Sequence, residues 1–159
     1  MKNIVFTRID DRLIHGQVMT AWIQYTQATE VVIVDDKVAK DEFIKMVMKS
    51  SMPAKIHLTI LDTQSAINYL LEEPKDPDEK VFIIVKQPMV LLNLINAKVD
   101  IKQIGIGGMG ARADRTQFYR NISATDEERN AFLELSKKGV DVFIQVITDD
   151  KRIPLKSIL

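Results

Sequence analysis

The chain is expected to form a single α/β domain. Its sheet is mainly parallel and covered on both faces, with one antiparallel edge strand. Two observations predict this. Short β-rich runs alternate with longer segments of helical periodicity along the whole 159 residues, and several of the runs are nearly continuous Val, Ile and Phe. Uninterrupted apolar strands are what a parallel sheet requires when both of its faces are covered.

The strand runs are Ile4–Ile9, Val31–Val34, Ile56–Ile60, Val81–Val85, Gln103–Ile106 and Val142–Val146. Between them, Gly16–Tyr25 carries Val18, Ala21, Trp22 and Tyr25 on one stripe, and Lys40–Lys49 carries Phe43, Ile44, Val47 and Met48. Thr63–Leu71 follows a capping Asp62 or Thr63, and Pro88–Ala97 starts with proline in its first turn. The segment "TDEERNAFLELSKKG" holds a complete set of helix signals. Thr125 and Glu128 have capping-box spacing, acids fill the first turn, lysines the last, and Gly139 follows. "EEPKDPDEK", Glu72 to Lys80, is a surface loop too short to divide domains, so residues 1–159 form one unit. Part of "RTQFYRNIS", Arg115 to Ser123, lacks helical periodicity and is assigned to the antiparallel edge strand.

Composition narrows the function. Lys plus Arg and Asp plus Glu each total 22, so the net charge is zero. That argues against bulk nucleic-acid binding and against a polybasic membrane anchor. With no cysteine, disulfide and thiol chemistry are excluded. The first apolar run is too short for a signal peptide, and no stretch approaches the roughly 20 apolar residues of a membrane span. A cytoplasmic protein is the expectation.

Charge concentrates in "TRIDDRLIHGQV", Thr7 to Val18, at the end of the first strand. Ligands of open α/β sheets bind beyond the carboxyl ends of the strands, where helix N-termini offer unpaired N–H groups to an anion. Arg12 adds a planar fork matched to phosphate oxygens, and Gly16 permits close backbone approach. His15 adds a nitrogen nucleophile whose ordinary pKa of about 6.5 leaves much of it neutral near pH 7. Asp10 or Asp11 is placed to orient the imidazole or to hold Arg12. These residues together suit phosphoryl capture on His15. The competing explanation is a solvated, self-paired charge cluster.

The segment "RIDDRLIHGQV" closely resembles the active-site segment of the IIB component of the mannose/fructose/sorbose family of the bacterial phosphoenolpyruvate-dependent sugar phosphotransferase system (PTS). "VVIVDDKVAKDEF", "IGIGGMGARADRTQFYRNIS" and "GVDVFIQVITDD" resemble it in order and spacing. The resemblance implies that His15 accepts phosphoryl from a phosphorylated IIA protein. The group then passes to a sugar translocated by the membrane subunits IIC and IID. It also implies an open, twisted, mostly parallel sheet with helices on both faces, that Arg12 pairs with the phosphoryl, that Gly16 and Gln17 complete the loop, and that Arg8, Asp10 and Asp11 belong to the same motif. No metal or organic cofactor is implied beyond a transient phosphohistidine. IIA is expected to be a separate chain, and the protein is expected to sit at the inner face of the membrane through IIC and IID. A homo-oligomer is compatible with the sequence but not demanded by it.

Other features carry weaker expectations. "GIGGMG", Gly105 to Gly110, matches a dinucleotide fingerprint only formally and is better read as a tight strand-end turn near His15. Asp35, Arg112 and Arg115 are candidates to face the phosphoryl or a partner, the arginines otherwise being ordinary exposed residues. Asp36 is a turn residue capping the next element, His57 is structural or superficial, and Trp22 belongs to the core. Met46, Met48 and Met52 serve packing or a partner surface. Two rival functions stand beside the main one. One is a Mg²⁺-dependent aspartyl-phosphate receiver using Asp10 and Asp11, and the other is a non-catalytic partner-binding domain.

Overall fold

The structure is a computed structural model. It describes residues 1–158, the side chain of Gln17 excepted. The strands of the main sheet are β1 (Ile4–Asp10), β2 (Glu30–Val34), β3 (His57–Leu61), β4 (Val81–Val85), β5 (Gln103–Gly108), β8 (Asp141–Ile144) and β9 (Ile153–Pro154). They lie in the order β3-β2-β4-β1-β5-β8-β9. All pair in parallel except β9, which runs antiparallel to β8. A separate antiparallel hairpin is formed by β6 (Thr116–Tyr119) and β7 (Ile122–Ala124).

The helices are α1 (Gly16–Thr26), α2 (Glu42–Ser50), α3 (Thr63–Leu71), α4 (Pro88–Asn96) and α5 (Asp126–Lys137). One face of the sheet is built from Phe6, Val31, Ile33, Phe82 and Phe143, and packs on Met19, Trp22 and Ile23 of α1. Phe6 stacks on Trp22 with ring centroids 5.0 Å apart. The other face uses Ile9, Val32, Ile83 and Ile106, and packs on α3, α4, α5 and the β6–β7 hairpin. Both faces are covered, which is why β2 and β4 are buried at every position and lack polar alternation.

The local signals act as expected. Asp62 caps α3, Pro88 opens α4, and the Thr125–Glu128 capping box opens α5. Three expectations are corrected. The antiparallel edge strand exists, but it is Ile153–Pro154, whereas "RTQFYRNIS" forms most of a hairpin that turns at Arg120 and joins β5 only through a bridge from Ile122 to Met109. The second helix begins at Glu42 rather than Lys40, because Val38–Lys40 forms a 3-10 turn and the Asp41 carboxylate caps the helix by accepting from Ile44 N. The last long strand stops at Ile144, since the carbonyls of Gln145 and Val146 turn inward to accept from Arg8.

The topology creates a crevice at the carboxyl ends of β1 and β5. The chain leaves β1 toward the α1 face and leaves β5 toward the hairpin on the opposite face. Adjacent strands whose connections diverge in this way leave a gap above the sheet. A cleft of about 420 Å³ occupies it, lined by Asp10, Asp11, Arg12, Gly107, Gly110 and Asn121 among others.

Candidate functional site

Period-two alternation on β1 puts Phe6, Arg8 and Asp10 on the α1 face, with Ile9 on the other. The strand therefore delivers a buried arginine and then a buried aspartate to the foot of the β1–α1 loop. The loop turns tightly. Leu13 takes φ +57° and donates its N–H to Asp10 O, while Gly16 takes φ +50° at the start of α1. Leu13 is buried in the core under α1, which anchors the loop from below.

Asp10 is the centre of the site. Its Oδ1 accepts from the backbone N–H of Arg12 at 3.0 Å and from Arg12 Nε at 3.2 Å. Its Oδ2 lies 3.1 Å from His15 Nε2 and 3.4 Å from both Arg8 Nη2 and Arg12 Nη2. Burial pushes the Asp10 carboxyl up. The hydrogen bonds from Arg12 and His15 and the charge of Arg8 outweigh it and hold the group below the usual carboxylate range. Asp10 is thus ionised at neutral pH, and an ionised carboxylate only accepts. In the neutral imidazole Nε2 then carries the proton, and the lone pair is on Nδ1.

His15 is the N-cap residue of α1, and its side chain makes no capping hydrogen bond. The first-turn N–H groups and the positive end of the helix lie beside the imidazole. The His15 side chain is 24% exposed and that of Arg12 58%. A partner can reach both, while Asp10 beneath them is closed to solvent.

Arg8 is fully enclosed. It donates to the carbonyls of Gln145 and Val146 at 2.9 Å each, and its guanidinium stacks 4.6 Å above the Trp22 ring. Gly107 is required opposite it, since a Cβ there would collide with the guanidinium, and a Cβ on Gly108 would crowd Asp10. The glycine run therefore makes room for the buried charges of the neighbouring strand, and it is not the tight turn expected, because residues 105–108 lie within β5 and only Met109 and Gly110 follow it. Desolvation lowers the pKa of Arg8 to about 10, so it remains a cation at neutral pH.

The other candidates divide. Asp11 does not touch His15. Its Oδ2 accepts from Gly110 N and from Arg115 Nη1, both at 2.7 Å. Arg115 is neither exposed nor directed at a ligand, because its guanidinium is buried between Asp11 and Glu128 of the capping box. Arg112 is half exposed and pairs with Asp114. Asp35 closes its own turn by accepting from Lys37 N and Val38 N, and Asp36 accepts from the N–H and hydroxyl of Thr63. His57 is largely exposed, 4.0 Å from Glu30. Trp22 is core, Met48 and Met52 pack partly against it, and Met46 faces solvent. The side chain of Gln17 lies outside the described residues. Both aspartates of the "DD" pair are bound by arginines, which does not suit a Mg²⁺-binding receiver site.

Sequence reasoning missed how deeply Arg8 is built into the site and missed the contribution of Gln145 and Val146. The alternation of Phe6, Arg8 and Asp10 on one face was available as a signal. The carbonyls of a distant turn carry none.

The family model described as "PTS system sorbose subfamily IIB component" matches residues 4–159. The chain belongs to that family. It is similar to the sorbose-specific EIIB component of Lacticaseibacillus casei, at 33% identity over 92% of this chain and 89% of the relative. The fructose-specific EIIB component of Bacillus subtilis is also 33% identical, over 94% of this chain and 91% of its own length. Among solved structures, the IIBSor domain of the Klebsiella pneumoniae sorbose permease superposes with a TM-score of 0.92 at 30% identity, covering 98% of this chain and 94% of that one. As a IIB component the protein is a phosphotransferase of a sugar PTS, and the family implies IIA and membrane partners. Among the described residues, no helix is long and apolar enough to cross a membrane.

Proposed function

We propose that His15 is the phosphoryl acceptor and that it reacts through Nδ1. The observation that carries this reading is the contact of Nε2 with the buried, ionised Asp10, which fixes the proton on one ring nitrogen and leaves the other as nucleophile. The donor is a phosphorylated IIA protein. The Nδ1 lone pair forms the new P–N bond as the bond between phosphorus and the donor breaks, its electron pair leaving with the donor. The ring becomes a phosphoimidazolium whose Nε2–H stays on Asp10, and the carboxylate offsets the new positive charge.

Arg12 and the first turn of α1 meet the phosphoryl oxygens. Arg12 is held at Asp10 yet more than half exposed, so it can turn toward an incoming anion with little cost to the core. Catalysis here is positioning plus charge stabilisation, with no metal or organic cofactor required. In the second step the same geometry runs in reverse. A sugar hydroxyl presented by IIC and IID forms the P–O bond as the P–N bond breaks; the bonding pair returns to Nδ1, the hydroxyl proton is released to water, and His15 departs as a neutral ring. The protein therefore works at the inner membrane face, held there by those subunits.

Intact-protein mass spectrometry tests the acceptor. Incubation with phosphoenolpyruvate, the general PTS proteins and a cognate IIA should add one acid-labile phosphoryl to the wild type and none to His15→Ala. A folded His15→Ala protein that still accepts phosphoryl would remove His15 from the mechanism. No adduct on the wild type from an active cognate IIA would favour a purely partner-binding role.

A further inference from the structure

We propose that Arg8 is a positioning residue that acts through Asp10, its fixed buried charge keeping the His15 ring neutral and so ready to accept phosphoryl. The inference rests on the reading of His15 as acceptor. It starts from a conflict within the site. An ionised aspartate against Nε2 orients the ring, but the same negative charge also favours protonation of the ring. A protonated imidazole has no lone pair with which to attack.

Asp10 meets the His15 ring directly from β1. Arg12 meets the same carboxylate from the loop and Arg8 from the interior. Helix α1 carries no charged side chain, and β5 presents glycines beside Arg8 and Asp10. Asp11 is committed to Arg115, which is shared with Glu128. At the Asp10–His15 contact one carboxylate therefore meets two guanidiniums, and Lys86 follows Val85, the β4 partner of Ile9, at the neighbouring strand end.

The two guanidiniums are not equivalent. Arg12 is 58% exposed, is screened by solvent, and must leave Asp10 at least in part to meet a phosphoryl group. Arg8 cannot leave. Two backbone carbonyls hold it, Trp22 floors it, and Gly107 lies against it. Its Nη2 faces Oδ2, the same oxygen that meets His15 Nε2. At 3.4 Å that contact is a weak hydrogen bond but a close charge pair in a site shielded from water. Arg8 is the counterweight that persists when Arg12 turns to the phosphoryl. It also limits how strongly Asp10 stabilises the phosphorylated ring, which helps the group to leave in the second step.

The test is an NMR titration of the histidine ring nitrogens in the unphosphorylated protein, for wild type, Arg8→Gln and Arg8→Lys. His57, exposed and remote in sequence from the loop, is the internal control. In Arg8→Gln the His15 ring should gain its proton at higher pH than in the wild type, by about one pH unit, with His57 unchanged. The acid limb of the pH profile for phosphoryl acceptance should move by the same amount, and Arg8→Lys should restore most of it. Folded Arg8→Gln protein that titrates and accepts phosphoryl like the wild type would overturn the proposal and leave Arg8 a packing residue. Should Arg8→Gln not fold, Arg8→Lys decides alone. It retains the charge and must keep the wild-type limb, and a shift of about one unit in that variant would contradict the counterweight. Absence of an adduct on the wild type would overturn the acceptor reading instead, while the ring titration would still decide the role of Arg8.

Discussion

At the scale of single residues, the site separates accessible groups from the buried groups that hold them. His15 and Arg12 are accessible, and Arg8 and Asp10 are not. Substitutions should divide along the same line. His15→Ala should abolish phosphoryl acceptance yet change unfolding free energy by only about 0.5 kcal/mol, since a partly exposed loop side chain is lost. Arg12→Ala should keep the fold and slow phosphoryl transfer roughly 10- to 100-fold, the value of a charge-assisted contact to the transferred group. Asp10→Asn should be costly in both respects, because it leaves Arg8 buried without its counter-charge, at about 3 kcal/mol in denaturant unfolding. The Asp10 carboxyl also sets a pH dependence. Its folded-state pKa lies below the ordinary value, so its stabilisation is present above the ordinary carboxylate range and is lost as pH falls through the folded value. Wild-type stability should therefore fall below about pH 4, and the Asp10→Asn variant should lack this component of the fall.

At the scale of elements, the loop is held between two ties. One runs from Arg8 to the turn after β8, and the other from Asp11 through Arg115 to Glu128 at the start of α5. Arg115→Met should cost about 3 kcal/mol in denaturant unfolding, since it strands the buried Glu128, and should loosen hydrogen-exchange protection in the β6–β7 hairpin. These ties also mark where sequence reading succeeds. Helix starts at Asp62, Pro88 and Thr125 were legible because each signal is local, a cap or a proline acting within one turn. The juxtaposition of His15 and Arg12 at Asp10 was legible because all three lie in one short stretch of the chain. Arg115 was misplaced because its two partners are 104 and 13 residues away, and nothing local distinguishes a buried arginine from an exposed one. The edge strand was misplaced for a related reason. Both "RTQFYRNIS" and the short Ile153–Pro154 pair need a neighbour to become strands, and the neighbour is chosen by tertiary packing.

At the scale of the whole molecule, stability and reactivity occupy different regions. The centre of the sheet is closed on both sides, and the carboxyl ends of β1 and β5 open into the cleft. Ile83→Ala, at a fully buried position of β4, should cost about 2–5 kcal/mol in denaturant unfolding without altering the chemistry of His15. The mainly parallel, doubly covered sheet was readable from alternation and continuous apolar runs, since strands buried on both faces leave no room for polar positions. The charge balance at Asp10 was not, because it depends on which face of β1 turns toward α1. Phosphoryl capture as proposed depends on one atom, Nδ1 of His15. The measurement that tests it most directly is ¹⁵N–³¹P NMR on the phosphorylated, ¹⁵N-histidine-labelled protein. The account predicts a single phosphoryl coupled to Nδ1 of His15, with Nε2 still protonated. A phosphoryl coupled to Nε2, or carried by any other residue, would contradict it.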